Sequence, residues 1–167
     1  AEVEAEKIGY QIGNTYRIET TEATFFGTAF AYDGTAFHLP VLGKHQVRNA
    51  AYAIATARAL GVTDARIQEG FDAVELTPMR MERLLYEETA VINDAYNASP
   101  TSMNAAVETI TALEGYTTRV LVLGDMYELG DQERLLHASV GKRIALPVSH
   151  AILVGEKGAW IAEGISD

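Results

Sequence analysis

The chain has 167 residues, enough for one domain or two small ones with a sizeable core. Its 23 acidic residues outnumber 13 lysines and arginines, giving a net charge of −10, and this balance argues against a nucleic-acid binder with its basic stripe. The absence of cysteine excludes a disulfide framework and a thiolate metal site, and no window approaches the roughly 20 apolar residues of a membrane span.

The same composition fits a reducing cytoplasm. The opening AEVEAEKIGY has no charged n-region followed by an apolar run, so no signal peptide is read there. Residues 1 to about 42 read as β: EKIGYQI, TYRIET and ATFFGTAFAY are rich in β-branched and aromatic residues, with Gly13-Asn14 as a break. Asp33-Gly34 predicts a hairpin, because a two-residue turn wants positive φ at its centre. HQVRNAAYAIATARALG then predicts a helix with apolar residues at helical spacing and Gly61 at its C-terminal end. A second helix over about 63–74 follows, capped by Thr63 or Asp64, with Ile67, Phe71 and Val74 on one side. LTPMR, 76–80, reads as a linker.

Beyond residue 82 the pattern alternates. ERLLYEETAVIND predicts a hairpin or two successive strands, and PTSMNAAVETITALEG a helix with Pro100 in its first turn. RVLVLGD is a short continuous apolar run of the kind buried parallel strands show. DQERLLHASVGKRIA, AILVG and EKGAWIAEG predict helix, buried strand and helix. Repeated β-α-β units point to an α/β fold with a doubly wound parallel sheet, whose ligands bind beyond the carboxyl ends of the strands. Those ends fall at Asp94, at Gly124-Asp125 and at Gly155. The layout is a β-plus-helix piece, 1–77, joined to an α/β domain, 78–167. The final GAWIAEGISD stops inside a predicted helix, so the chain is expected to be a fragment.

In so acidic a chain, Lys44, His45 and Arg48, and again Arg80 and Arg83, are the places to look for an anionic ligand. GKHQVRN, 43–49, opens a helix with His45, Gln46, Arg48 and Asn49 over its first turns. Two readings stand: a helix start with solvated side chains, or amides facing a heterocycle, since an amide donates and accepts along one edge. Arg80 is either a solvated linker residue or a guanidinium that clamps a phosphate with its planar fork. Asp94, ending a strand, either caps backbone N–H groups or accepts from ribose hydroxyls, and Ser99 is a candidate N-cap. GDMYELGD, 124–131, is either a ligand loop framed by glycines or a solvated acidic face, and His137 is expected to be a satisfied helix residue. No HExxH, paired-cysteine or EF-hand spacing occurs, and no GxGxxG, GxxxxGK[ST] or GxSxG is present.

Taken in order, LGKHQVRNAAYAIATARALGV, MRMERL, VINDAYNASPTSMNAAVETITAL and VLVLGDMYELGDQERLLH resemble the Mur ligases over about residues 20–160. YNASP followed by SM, and LGDM followed by ELG, resemble the member that adds D-alanyl-D-alanine to UDP-N-acetylmuramoyl-tripeptide. The resemblance implies the tail of a central ATPase domain, a β-hairpin plus helices, followed by a Rossmann-like C-terminal domain with a parallel sheet. It implies an ATP-dependent ligation through an acyl phosphate in peptidoglycan precursor synthesis, with the phosphate loop and the Mg2+ ligands upstream of this chain. Removing those parts would leave the fragment inactive alone. Position by position, Asn49 matches the Asn expected at the adenine, and Gln46 stands where the family usually has Asn, one methylene longer. His45 matches the motif His, between a structural and a nucleotide-adjacent role; Arg80 matches the boundary Arg expected at the ATP phosphates; and Asp94 matches the ribose-holding acid. Tyr96, Asn97 and Ser99 fall where the incoming dipeptide is recognised. The alternatives are a sister enzyme, another Mur ligase or folylpolyglutamate synthetase, and a non-catalytic nucleotide-binding module.

Overall fold

A computed structural model of the chain describes residues 8, 9 and 16–166. The chain divides into two compact units, Ala1–Thr77 and Pro78–Asp167.

In the first unit, β1 (Ile8–Gly9), β2 (Tyr16–Thr24), β3 (Gly27–Tyr32) and β4 (Thr35–Leu39) form a sheet in that order, followed by α1 (Lys44–Ala59) and α2 (Asp64–Asp72). Of EKIGYQI only Ile8 and Gly9 are described, and the Gly13-Asn14 break lies outside the described residues. The Asp33-Gly34 hairpin is present, with both residues at positive φ and Tyr32 paired with Thr35. ATFFGTAFAY, read as one β stretch, turns back at Phe25-Phe26, because Gly27 takes φ 154° where a Cβ would collide with the Leu39 carbonyl at 2.5 Å. Alternate residues Phe30 and Tyr32 of β3, and Phe37 and Leu39 of β4, point to one face. Val47, Ala50, Ala51 and Ile54 recur at helical spacing on α1, and all eight belong to one buried cluster. Thr28 donates its buried hydroxyl to the Val41 carbonyl at 3.0 Å, fixing the connection that leads to Gly43 and α1.

α1 ends in a Schellman arrangement: Gly61 N–H donates to Arg58 O and Val62 N–H to Ala57 O, with Gly61 at φ 79°. Arg58 grips Asp64 with two nitrogens at 2.8 and 3.0 Å, and its hydrogen bonds hold that carboxyl below its usual range. Asp64 therefore serves an ion pair, and Thr63, the N-cap of α2, makes no side-chain cap bond. α2 stops at Asp72, so Val74, expected on its buried side, lies past the helix and is 42% exposed.

The second unit contains the hairpin β5 (Glu82–Tyr86) and β6 (Thr89–Asn93), then α3 (Pro100–Ala112), β7 (Val120–Leu123), a 3₁₀ turn (Gly130–Gln132), α4 (Glu133–Gly141), β8 (His150–Leu153) and α5 (Gly158–Ser166). β7 and β8 pair in parallel, as the alternating pattern predicts, whereas β6 pairs antiparallel with β5 and is not hydrogen-bonded to β7. Leu121 and Leu123 pack into a core with Met103, Val107, Met126, Val140 and Ile161. The opposite face of β7 corrects the expectation of a strand buried on both sides: Val122 is 65% exposed. The helices pack on the face with Leu121 and Leu123, and Val120, Val122 and Ile152 on the other are exposed. α4 and α5 cross at two glycines, where a Cβ on Gly141 would strike the Ile161 carbonyl and one on Gly164 the Ala138 carbonyl. Arg119 closes the end of α3 by donating to the carbonyls of Ile110, Leu113 and Tyr116.

Candidate functional site

The end of β6 is where the second unit gathers most of the residues singled out in its sequence. Asp94, half-buried just past the strand, accepts the Met81 N–H at 3.0 Å through Oδ1. Tyr96 N–H donates to the Met79 carbonyl at 3.0 Å, so residues 79–81 are pinned across the strand end from two sides. Glu82 completes the clasp: its Oε2 accepts from Met79 N–H and from Asn93 Nδ2, both at 3.1 Å. Met79 and Met81 adopt positive φ, 58° and 51°, a conformation that costs free energy in a non-glycine residue and is held here by those bonds. Met81 anchors the segment with its side chain only 4% exposed.

Arg80, between the two strained residues, lays its guanidinium over the Tyr96 ring, 4.1 Å from the centroid. The expected linker is therefore an ordered part of the second unit from Met79 onward. Next in the turn, Asn93 Oδ1 accepts the Ala95 N–H and Asn97 Oδ1 accepts the Ala98 N–H at 2.9 Å. The Asn97 amide nitrogen has no partner among the described residues. Ser99 caps α3: its Oγ accepts the Ser102 N–H at 3.2 Å while Ser102 Oγ accepts the Ser99 N–H at 2.9 Å, and Pro100 follows at the first helical position.

The second strand end has a different use for its polar groups. Asp125 Oδ1 accepts the Lys157 N–H at 2.9 Å, tying the loop after β7 to the start of α5. Gly155 sits against that carboxylate at φ 98° with no room for a Cβ. Lys157 Nζ reaches Glu133 at 2.5 Å and lies 5.1 Å from the Tyr127 centroid. The Glu133 hydrogen bond is the main reason this amine titrates above its ordinary value. His137 is fully buried, donates from Nδ1 to the Glu133 carbonyl at 2.6 Å and accepts the Met126 N–H on Nε2 at 3.0 Å. It is the satisfied helix histidine the sequence suggests. These contacts assign Asp125, Glu133 and His137 to holding the loop.

In the first unit, Gly43 takes φ 100° at the head of α1 and its carbonyl accepts from Gln46 and Val47. Gln46 and Asn49, one helical turn apart, are joined by an Nδ2–Oε1 hydrogen bond of 3.4 Å. Asn49 and Arg48 are exposed, and His45 and Gln46 half-buried. Among the described residues no group of three or more His, Asp or Glu side chains is placed to hold a metal ion. The residues that sequence reasoning missed are Glu82, Asn93 and Lys157. Glu82 stood inside the MRMERL motif, but its role depends on a fold-back that no local pattern marks.

The second unit is thus an α/β domain whose conspicuous polar groups collect at strand ends, and comparison with known proteins gives its class. Residues 79–167, more than half of the chain, match the family described as Mur ligase, glutamate ligase domain, and the chain belongs to that family. More particularly, it is 41% identical over 155 residues to UDP-N-acetylmuramoyl-tripeptide--D-alanyl-D-alanine ligase of Bacillus subtilis (strain 168), covering 90% of this chain and 34% of that one. The enzyme of the same name from Escherichia coli (strain K12) is 35% identical over 133 residues, 77% of this chain and 29% of that one. Among solved structures, MurF from Acinetobacter baumannii superposes with a TM-score of 0.84 at 30% identity, covering 95% of this chain and 35% of that one. MurF ligase from Thermotoga maritima, solved in complex with ADP, shares the fold with a TM-score of 0.74 at 20% identity, covering 93% and 37%. The chain spans about a third of the length of these relatives.

Proposed function

We propose that this chain is the C-terminal part of an ATP-dependent amide ligase that adds D-alanyl-D-alanine to UDP-N-acetylmuramoyl-tripeptide. The reaction belongs to cytoplasmic peptidoglycan precursor synthesis. Residues 1–77 then end the central ATP-binding domain and residues 78–167 form the Rossmann-like C-terminal domain. The observation that supports this best is the clasp at the end of β6, with Asp94 bonded to the Met81 N–H and Arg80 stacked on Tyr96, in a chain 41% identical to a ligase of that name. No helix among the described residues is long and apolar enough to cross a membrane.

ATP supplies the phosphoryl group that activates the tripeptide carboxylate. The chain's own residues bind and orient. Asp94 has one oxygen fixed on Met81, and its other oxygen accepts from the ribose hydroxyls. Arg80 brings its guanidinium to the phosphates, where fixed positive charge offsets the negative charge of phosphoryl transfer. Asn49 and Gln46 offer donor and acceptor groups to the adenine edge, with His45 beside them. On the dipeptide side stand Asn97 and Ser99, of which Asn97 keeps an amide nitrogen for the ligand while Ser99 holds α3 in place. Among the described residues no cluster of His, Asp or Glu fits Mg2+; the family resemblance implies ligands for it upstream of this chain.

The test is phosphate release by the full-length protein supplied with ATP and UDP-N-acetylmuramoyl-tripeptide, with D-alanyl-D-alanine or with single amino acids as acceptor. Release that depends on the dipeptide supports the reading. Release with a single amino acid, and none with the dipeptide, places the chain in a sister enzyme.

A further inference from the structure

We propose that Tyr96 is a positioning residue for Arg80: the face of its ring holds the guanidinium ready for an anionic ligand, and its hydroxyl is dispensable. This rests on the role given to Arg80 above and moves Tyr96 from the dipeptide side of the site to the phosphate side.

Four observations converge on the pair. The guanidinium carbon stands 4.1 Å from the ring centroid, while Tyr96 is 55% exposed and so is not recruited to the core. The segments are tied on either side of Arg80, by the Tyr96 N–H donating to the Met79 carbonyl and by the Met81 N–H donating to the Asp94 carboxylate. Left-handed backbone on both sides of Arg80 fixes the direction in which its side chain leaves the chain. No carboxylate among the described residues pairs with Arg80, although acidic residues outnumber basic ones in the chain.

The last point gives the arrangement its chemistry. A carboxylate partner would occupy the guanidinium's donor edge and neutralise the charge that a phosphate requires. An aromatic face touches the flat side of the group and leaves its N–H donors, all at the edge, open to oxygens. Stacking also removes much of the rotamer freedom of an exposed arginine before the ligand arrives, so less is lost on binding.

Two experiments test this. In the 167-residue chain, the Arg80 side-chain protons should resonate upfield from the ring current of Tyr96. Y96F should keep that shift and Y96L should lose it, with the remaining amide spectrum unchanged. A wild-type chain lacking the shift would overturn the stack. In the full-length ligase, Y96F should retain kcat and the KM for the dipeptide, and Y96L should lower kcat about two- to fivefold without moving that KM. In an R80A background Y96L should add nothing. A raised dipeptide KM in Y96F would return Tyr96 to acceptor recognition and overturn the proposal. If R80A alone leaves kcat unchanged, the role of Arg80 fails and the reason for positioning it falls too, while the resonance shift still reads the stack independently.

Discussion

Two loops in the second unit follow strands and carry an aspartate within their first two residues, yet they put their polar groups to opposite uses. After β7, Asp125 holds the start of α5, Glu133 holds Lys157, and His137 satisfies the Met126 N–H. After β6, Asp94 gives one oxygen to Met81, Asn97 keeps its amide nitrogen, and Arg80 presents its donor edge above Tyr96. Position at a strand end is common to both. The difference is whether the groups are consumed by the fold, and that makes the β7 loop a brace and the β6 loop the candidate site.

Substitutions should separate the brace from the site. The largest effect is expected for His137→Ala, which opens a cavity beside Trp160 and strands the buried Met126 N–H, at a cost of about 3 kcal/mol in urea unfolding. ATP affinity of the variant, measured where it is still folded, should stay unchanged. Arg80→Ala should do the reverse in the full-length protein, lowering the proposed turnover about a hundredfold with stability within about 0.5 kcal/mol of wild type. A stability loss comparable to that of His137→Ala would make Arg80 part of the fold.

A smaller effect is expected from pH. The Lys157 amine is raised by Glu133, so its contribution to stability is complete below the ordinary lysine value of about 10.4 and is lost as pH rises through the raised one. Glu133→Gln should flatten that alkaline limb of the melting curve. An alkaline limb identical in wild type and variant would remove Lys157 from the brace.

Much of this architecture is legible in the sequence because it depends on local chemistry. Asp33-Gly34 wants positive φ, Ser99-Pro100 opens a helix, and Val47, Ala50, Ala51 and Ile54 mark one helical face. The clasp is another matter. Met79 and Met81 carry no turn chemistry, and their left-handed backbone is imposed by Asp94 and Tyr96, more than ten residues later. The turn at Glu87, at φ 52°, is equally unmarked by Gly or Asn. VLVL looks buried on both faces because its residues are all apolar, but which face is covered depends on where α3, α4 and α5 pack. Of the candidate site, residue types and order were readable. The stacking of Arg80 on Tyr96 and the separate duties of Asp94 and Asp125 required the three-dimensional contacts.

The most direct measurement is ATP affinity by calorimetry in the full-length protein carrying Asp94→Ala or Asp125→Ala, each checked for folding. The account predicts about a tenfold weaker Kd for Asp94→Ala, the scale of lost hydrogen bonds to a charged group, and an unchanged Kd for Asp125→Ala. Unchanged affinity in Asp94→Ala, or a comparable loss in Asp125→Ala, would contradict it.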